Sequence, residues 1–178
     1  MNKRPFPLPN VYRLLECGPV VLVTTARKGR ANVMAMAWHT MMDFNPPLIG
    51  CVIDAKSLTF GTLMATKECV INIPCVEFAA KVVGCGNTSG RLVDKFKKFG
   101  LTPLPASRVK APLIGECWAN LECKVVDARM AEKYNFFVLE VLKAWADPRV
   151  KQPKTIHHLG REKFMVAGKI LTLPSRVK

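Results

Sequence analysis

Two apolar, β-like runs, Asn32 to Met41 and Leu48 to Asp54, are separated by Phe44-Asn45-Pro46-Pro47. Consecutive prolines fix φ and remove two backbone donors, so no helix or unbroken strand runs through that point and the chain has to fold back. The second run empties into Ala55-Lys56-Ser57-Leu58-Thr59, which crowds an ammonium and two hydroxyls at the edge of a sheet, the groups that grip an anion. A simple helix start is the competing reading, because serine is a favoured N-cap. The two are compatible, since a helix N-terminus itself attracts anions.

The rest of the chain builds a mainly β pattern around this stretch. A Pro-rich leader precedes a short helix over Asn10 to Cys17 and a strand over Val20 to Thr25. Lys28-Gly29 closes a turn before Asn32, so the first three strands read as an antiparallel meander. FGTLMATKE after Thr59 is helical in character, Cys69 to Ile73 is a fourth strand ended by Pro74, and Glu77 to Val83 is a short helix. A glycine-rich loop, Gly84 to Gly90, leads to a basic helix over Arg91 to Phe99, capped by Gly100. A connector with three prolines over 100–115 precedes two long strands, Glu116 to Ala128 and Asn135 to Ala146. In Leu121-Glu122-Cys123-Lys124-Val125 the alternation predicts charged side chains outward and apolar ones inward. His157-His158-Leu159-Gly160 and a last strand over Lys169 to Leu173 complete the chain. Six or seven antiparallel strands without βαβ alternation predict a closed or nearly closed barrel in one domain spanning 1–178.

Composition narrows the classes. A chain of 178 residues buries roughly 70% of its unfolded surface, and a hydrophobic fraction of 49% fits one that hides some surface in an oligomer. No segment supplies the ~18 apolar residues of a membrane span, and prolines occupy the place of a signal peptide's apolar stretch, so a cytoplasmic protein is expected. The net charge of +14, from 27 basic against 13 acidic residues, attracts phosphorylated molecules or acidic proteins. Nucleic acid is the weaker reading, because the basic residues are scattered along the chain. Seven cysteines with no Cys-x-x-Cys pair predict buried free thiols and no metal site, with Cys85 the exposed one in its glycine-rich loop. Gly84, Gly86 and Gly90 are spaced one residue too long for a dinucleotide fingerprint and follow a helix instead of a strand. P-loop, paired-carboxylate and Gly-x-Ser-x-Gly patterns are absent, so any chemistry comes from a cofactor and no catalytic side chain is assigned.

Gly18-Pro19-Val20-Val21-Leu22-Val23-Thr24-Thr25, Asn32-Val33-Met34 through Trp38-His39, Pro46-Pro47, Lys56-Ser57-Leu58-Thr59 and Val70-Ile71-Asn72-Ile73-Pro74 resemble the flavin reductase-like FMN-binding split-barrel family, and within it the flavoredoxin branch. Ser89-Gly90-Arg91, Asp94-Lys95-Phe96, Leu121-Glu122-Cys123 and His158-Leu159-Gly160 extend the resemblance over nearly the whole chain. It implies a homodimer of Greek-key split barrels, each holding FMN noncovalently near the subunit interface. By position, Met34, Ala35, Met36, Ala37, Trp38, His39 and Thr40 would line the isoalloxazine and ribityl chain. Asp54, Lys56, Ser57 and Thr59 would hold the ribityl and phosphate end with Asn72 nearby, and Ser89, Gly90, Arg91 and Lys95 would close over the flavin. Trp38 and the methionines read equally as core or interface, and His39 as a structural hydrogen-bonded histidine. His157 and His158 either orient a nicotinamide or end a loop.

The implied function is an oxidoreductase that passes electrons from NAD(P)H through FMN to an acceptor. The alternative is an electron carrier that exchanges electrons with an acidic redox protein such as a ferredoxin. A basic nucleic-acid-binding barrel is the remote third reading.

Overall fold

A computed structural model describes residues 3–11, 18–159 and 162–173. The helix expected over Asn10 to Cys17 lies mostly outside these residues, as do Cys17 and Gly160. Strand β1 (Arg4–Phe6) precedes a hairpin of β2 (Val21–Arg27) and β3 (Arg30–Met36). Lys28 and Gly29 turn that hairpin at φ 51° and 76°, the positive values a two-residue connection requires. A second hairpin pairs β4 (His39–Phe44) with β5 (Pro47–Val52) across the predicted proline turn.

The run from Asn32 to Met41 is therefore two strands and not one. The chain breaks at Ala37-Trp38 because β3 bonds to β2 whereas β4 bonds to β5, at opposite ends of the path β3-β2-β6-β9-β10-β5-β4. Here β6 is Glu68–Ile73, β9 is Ala119–Asp127 and β10 is Phe136–Ala146, and β10 also pairs with β1. The antiparallel sheet curls without closing: its two edge strands are consecutive in the chain but not bonded to each other, which makes the barrel split.

Helix α1 (Leu58–Thr66) starts at Ser57, whose Oγ accepts from the Phe60 N–H at 3.0 Å. Helix α2 (Ala79–Gly86) follows a 3-10 turn, and its last turn contains Gly84, Cys85 and Gly86, where a loop was expected. A Cβ on Gly84 would stand 2.5 Å from the Phe99 ring, so this glycine serves helix packing. Cys85 is buried, opposite to expectation, and burial pushes its thiol up to about 11. The basic helix shrinks to α3 (Lys95–Phe99), because Asp94 caps it by accepting from the Lys97 N–H at 3.2 Å. Gly100 ends it at φ +56°, as expected.

The 100–115 connector contains a two-stranded ribbon, β7 (Pro103–Leu104) with β8 (Leu113–Ile114). With Ala111 and Leu113 buried against Val70 and Trp145, the connector covers the outer face of the sheet. This overturns the outward placement of Glu122, which is 0% exposed. Its carboxylate accepts from the Ser107 N–H and hydroxyl, the Arg108 N–H and the Trp145 indole at 2.7 Å, so the buried charge is fully bonded. Helix α4 (Ala131–Tyr134) leads into β10. Lys169 to Leu173 is not a strand; the last hairpin is β11 (Ile156–His158) with β12 (Phe164–Val166).

The main core lies inside the curl, where Val21, Val23, Ile49, Ile71, Leu121 and Phe137 meet with the buried thiols of Cys51, Cys69 and Cys123. A second cluster, with Leu22, Val33, Val82, Phe96 and Ile156, packs α2, α3 and the last hairpin against the other face.

Candidate functional site

The step at Ala37-Trp38 opens a cleft of about 1550 Å³. Met34, Ala35, Met36, Ala37 and Trp38 form one wall, and Val52, Ile53, Asp54 and Lys56 leave β5 along the other. The Val52 N–H donates to the Trp38 carbonyl at 3.0 Å and the Ile53 N–H to that of Asn135 at 2.9 Å, which holds the walls in register. Val82, Val83, Gly86 and Asn87 of α2 and its C-cap add a third side, and His158, Glu162, Lys163 and Phe164 of the last hairpin a fourth. Trp38 stands 71% exposed, with its ring free to face a planar guest.

At one end of the cleft the backbone is organised by Asp54. Its Oδ1 accepts from the Lys56 N–H at 2.8 Å, and its carbonyl accepts from the Ser57 N–H at 2.9 Å. This turn delivers Ser57 to the cap of α1 and leaves the Lys56 ammonium exposed, with no ion pair among the described residues. A free ammonium beside a helix N-terminus is an arrangement suited to a phosphate. Arg91 Nη1 donates to the Lys56 carbonyl at 2.9 Å, and the Ser89 hydroxyl accepts from the Arg91 N–H at 3.3 Å. The 89–91 segment is thereby fastened to the Lys56 turn.

Several residues expected at the flavin lie elsewhere. Asn72 is fully buried in the sheet and bonds Leu22, Val70, Ile114 and Asn120. Thr59 is buried and accepts from Asn32 Nδ2 at 3.2 Å. Thr40 is exposed on β4, and its hydroxyl bonds the Met41 carbonyl. His39 Nε2 lies 2.7 Å from the Pro19 carbonyl, and burial lowers the ring's pKa below the ordinary histidine value. Lys95 is buried; its Nζ donates to the Val33 and Cys85 carbonyls at 2.8 and 2.7 Å, clamping the end of α2 to β3, and burial lowers its pKa. Gly90 is buried against Asn32 and its carbonyl accepts from Arg30 at 2.7 Å.

Sequence reasoning missed the α2 side of the cleft, because Val82 and Val83 look like ordinary helix core. It left His158 undecided: the ring lines the cleft, 5.1 Å from the Phe164 ring, whereas His157 bonds the Thr155 hydroxyl at 3.1 Å. It also missed a second concavity of about 530 Å³, lined by Thr25, Arg27, Lys28, Arg30, Asn32, Leu58, Gly61, Thr62 and Arg91. The alternation Thr25-x-Arg27 and Arg30-x-Asn32 about the Lys28-Gly29 turn was the available signal.

The large cleft combines an apolar wall of small and thioether side chains, an exposed indole and a phosphate-sized cationic corner, which is the donor set a flavin nucleotide needs. Residues 13–164 match the model of the flavin reductase like domain. The chain belongs to this family. An uncharacterized Escherichia coli protein, YddH, is 34% identical over 94% of this chain and 96% of its own length. Among solved structures, an FMN-binding domain of a flavin reductases-like enzyme from Shewanella baltica superposes with a TM-score of 0.92 at 28% identity, covering 97% of this chain and 98% of the other. Flavoredoxin of Desulfovibrio vulgaris gives 0.81 at 25% identity, over 90% and 92%. In this chain the sheet splits between β3 and β4 at Ala37-Trp38, and the large cleft opens there.

Proposed function

We propose that this chain binds FMN noncovalently in the large cleft and passes electrons from a reduced nicotinamide through it to an acceptor. Bound FMN would supply two-electron acceptance and release in one- or two-electron steps. Met34, Ala35, Met36, Ala37 and Trp38 form the wall for the ring system, while Asp54, Lys56 and Ser57 shape the phosphate end. Asn72, Thr59, His39, Thr40 and Lys95 serve the architecture that holds those residues in place. His158, across the cleft on its own hairpin, is positioned to contact a second planar molecule.

The size of the cleft carries the reading. At about 1550 Å³ it exceeds the roughly 300–1,000 Å³ of ordinary small-molecule pockets, leaving room for a nicotinamide beside the flavin. Anaerobic stopped-flow mixing of the yellow protein with NADH or NADPH tests it: bleaching of the flavin absorbance is expected. A colourless protein that takes up no FMN would defeat the cofactor assignment, and a flavin that bleaches with neither nucleotide would defeat the donor assignment.

A second reading, an electron carrier for an acidic redox protein, draws support from the net charge of +14. Reduction by a ferredoxin but not by NAD(P)H would favour it. The chain is further proposed to act as a homodimer, because β4 is an edge strand flanked by exposed Trp38, Met42 and Phe44. Light scattering at a single-chain mass would remove that proposal. No helix among the described residues is long and apolar enough to cross a membrane. With the buried free thiols, this supports the proposed cytoplasmic location.

A further inference from the structure

The smaller groove lies between α1 and the end of the β2–β3 hairpin. Register pairs Thr25 with Asn32 and Arg27 with Arg30, two residues apart along both strands, so all four side chains share one face. Arg27 and Arg30 are thus like charges directly opposite one another, a destabilising arrangement unless an anion lies between them. Lys28 and Arg91 add two more cations, and none of the four forms an ion pair among the described residues.

The floor is equally unfinished. Thr25 is 0% exposed and its hydroxyl has no hydrogen-bond partner; Asn32 is 8% exposed, and its Oδ1 has none either. Both residues line the groove, and buried polar atoms left unpaired are costly enough to be rare. The Thr25 hydroxyl can donate to an anion, but the Asn32 oxygen would repel one and requires a donor. A bare dianion satisfies the cations and Thr25 only. An alcohol attached to a phosphate satisfies every group.

We propose that this groove is a second ligand site, which takes the phosphorylated ribose of a nucleotide. Phosphate oxygens accept from Arg27, Lys28, Arg30 and the Thr25 hydroxyl, while a ribose hydroxyl donates to Asn32 Oδ1 as the Gly90 backbone that covers this oxygen moves aside. Arg30 already gives one donor to the Gly90 carbonyl and Arg91 one to that of Lys56, so ligand binding ties the hairpin to the 89–91 segment. Neither the groove nor its ligand depends on a flavin in the large cleft. The phosphoribosyl group can belong to a free mononucleotide or to the adenylate half of a dinucleotide.

Calorimetric titration of the full chain with AMP, adenosine and inorganic phosphate, at saturating FMN, tests the assignment. One AMP per chain is expected, with adenosine weaker by about tenfold or more, the loss that accompanies removal of charge-assisted bonds, and inorganic phosphate weaker by about fivefold to tenfold, because it lacks the ribose donor for Asn32 Oδ1. Thr25→Val should weaken AMP by about fivefold to tenfold without lowering the melting temperature, because it deletes a hydroxyl that has no protein partner. Arg27→Gln with Lys28→Asn should weaken AMP by more than about tenfold and flatten its salt dependence. Asparagine tolerates the left-handed backbone at position 28, so this variant keeps the turn. Competition by NADH for the AMP site assigns the group to a dinucleotide; binding of AMP without such competition assigns it to a mononucleotide. The proposal is overturned if adenosine binds as well as AMP, if both variants bind AMP like the wild type, or if FMN displaces AMP one for one. A chain that takes up no FMN but binds AMP in this pattern keeps the groove and loses the flavin reading.

Discussion

Asn72 and Asn32 are both buried asparagines on strands of one sheet, and they do different things. Asn72 Nδ2 donates to Leu22 and Val70, while its Oδ1 accepts from the Ile114 N–H at 2.8 Å and Asn120 Nδ2 at 2.7 Å. Asn32 spends Nδ2 on Thr59 and leaves Oδ1 without a partner. A saturated buried amide is architecture, locking strands and the connector together; a half-saturated one beside a groove is a binding surface. The same contrast separates two lysines. Lys95 is buried on two carbonyls, whereas Lys56 is exposed at the cleft with no ion pair among the described residues.

Four measurements can break or sharpen this contrast. Asn72→Ala leaves several buried groups unpaired and should cost about 3 kcal/mol in urea unfolding, while the protein that remains folded keeps its FMN stoichiometry. Unchanged stability would show that the network is not structural. Lys56→Ala should reverse the pattern, weakening FMN by roughly tenfold to a hundredfold in a flavin-fluorescence titration with little change in unfolding. Equal FMN affinity would move the phosphate away from this corner. Ser57→Ala sits between the two, because the hydroxyl caps α1: a loss of about 1 kcal/mol in stability is expected alongside weaker FMN binding.

The smallest effect is in pH. His39 is half-buried, with Nε2 on the Pro19 carbonyl and a buried Nδ1 without a partner, so desolvation holds its folded-state pKa below the ordinary value of about 6.5. The unfolded chain takes up the proton first as pH falls, so this contribution is present above about pH 6.5 and is lost below it, toward the folded value. Urea midpoints of His39→Gln should accordingly fall less than those of the wild type between about pH 7 and pH 5.5. Parallel curves would remove His39 from the acid response.

Local physics made much of this legible. The proline turn, the Lys28-Gly29 reversal, the Ser57 start of α1 and the Gly100 cap each follow from torsions or capping groups within a few residues of the event. The Lys56 corner was legible from its own ammonium and hydroxyls, whereas the wall from Met34 to Trp38 was legible for a different reason: it carries the resemblance to a flavin-binding family. Errors arose wherever a residue's fate depended on a distant partner. Glu122 read as outward because alternation cannot foresee that 104–113 folds over that face and delivers three donors to it. Gly84 to Gly86 read as a loop because nothing local announces that Phe99 packs against Gly84.

The sequence by itself determined a mostly antiparallel β chain with a reversal at Pro46-Pro47 and an anion-binding type of corner after it, since backbone torsion, hydrogen-bond donors and charge are properties of neighbouring residues. Only the tertiary structure decided which buried polar groups are saturated. Asn72 and Lys95 became scaffold, and Thr25 and Asn32 became an unfinished floor, because a hydrogen-bond partner is fixed by where separate strands meet and not by spacing along the chain.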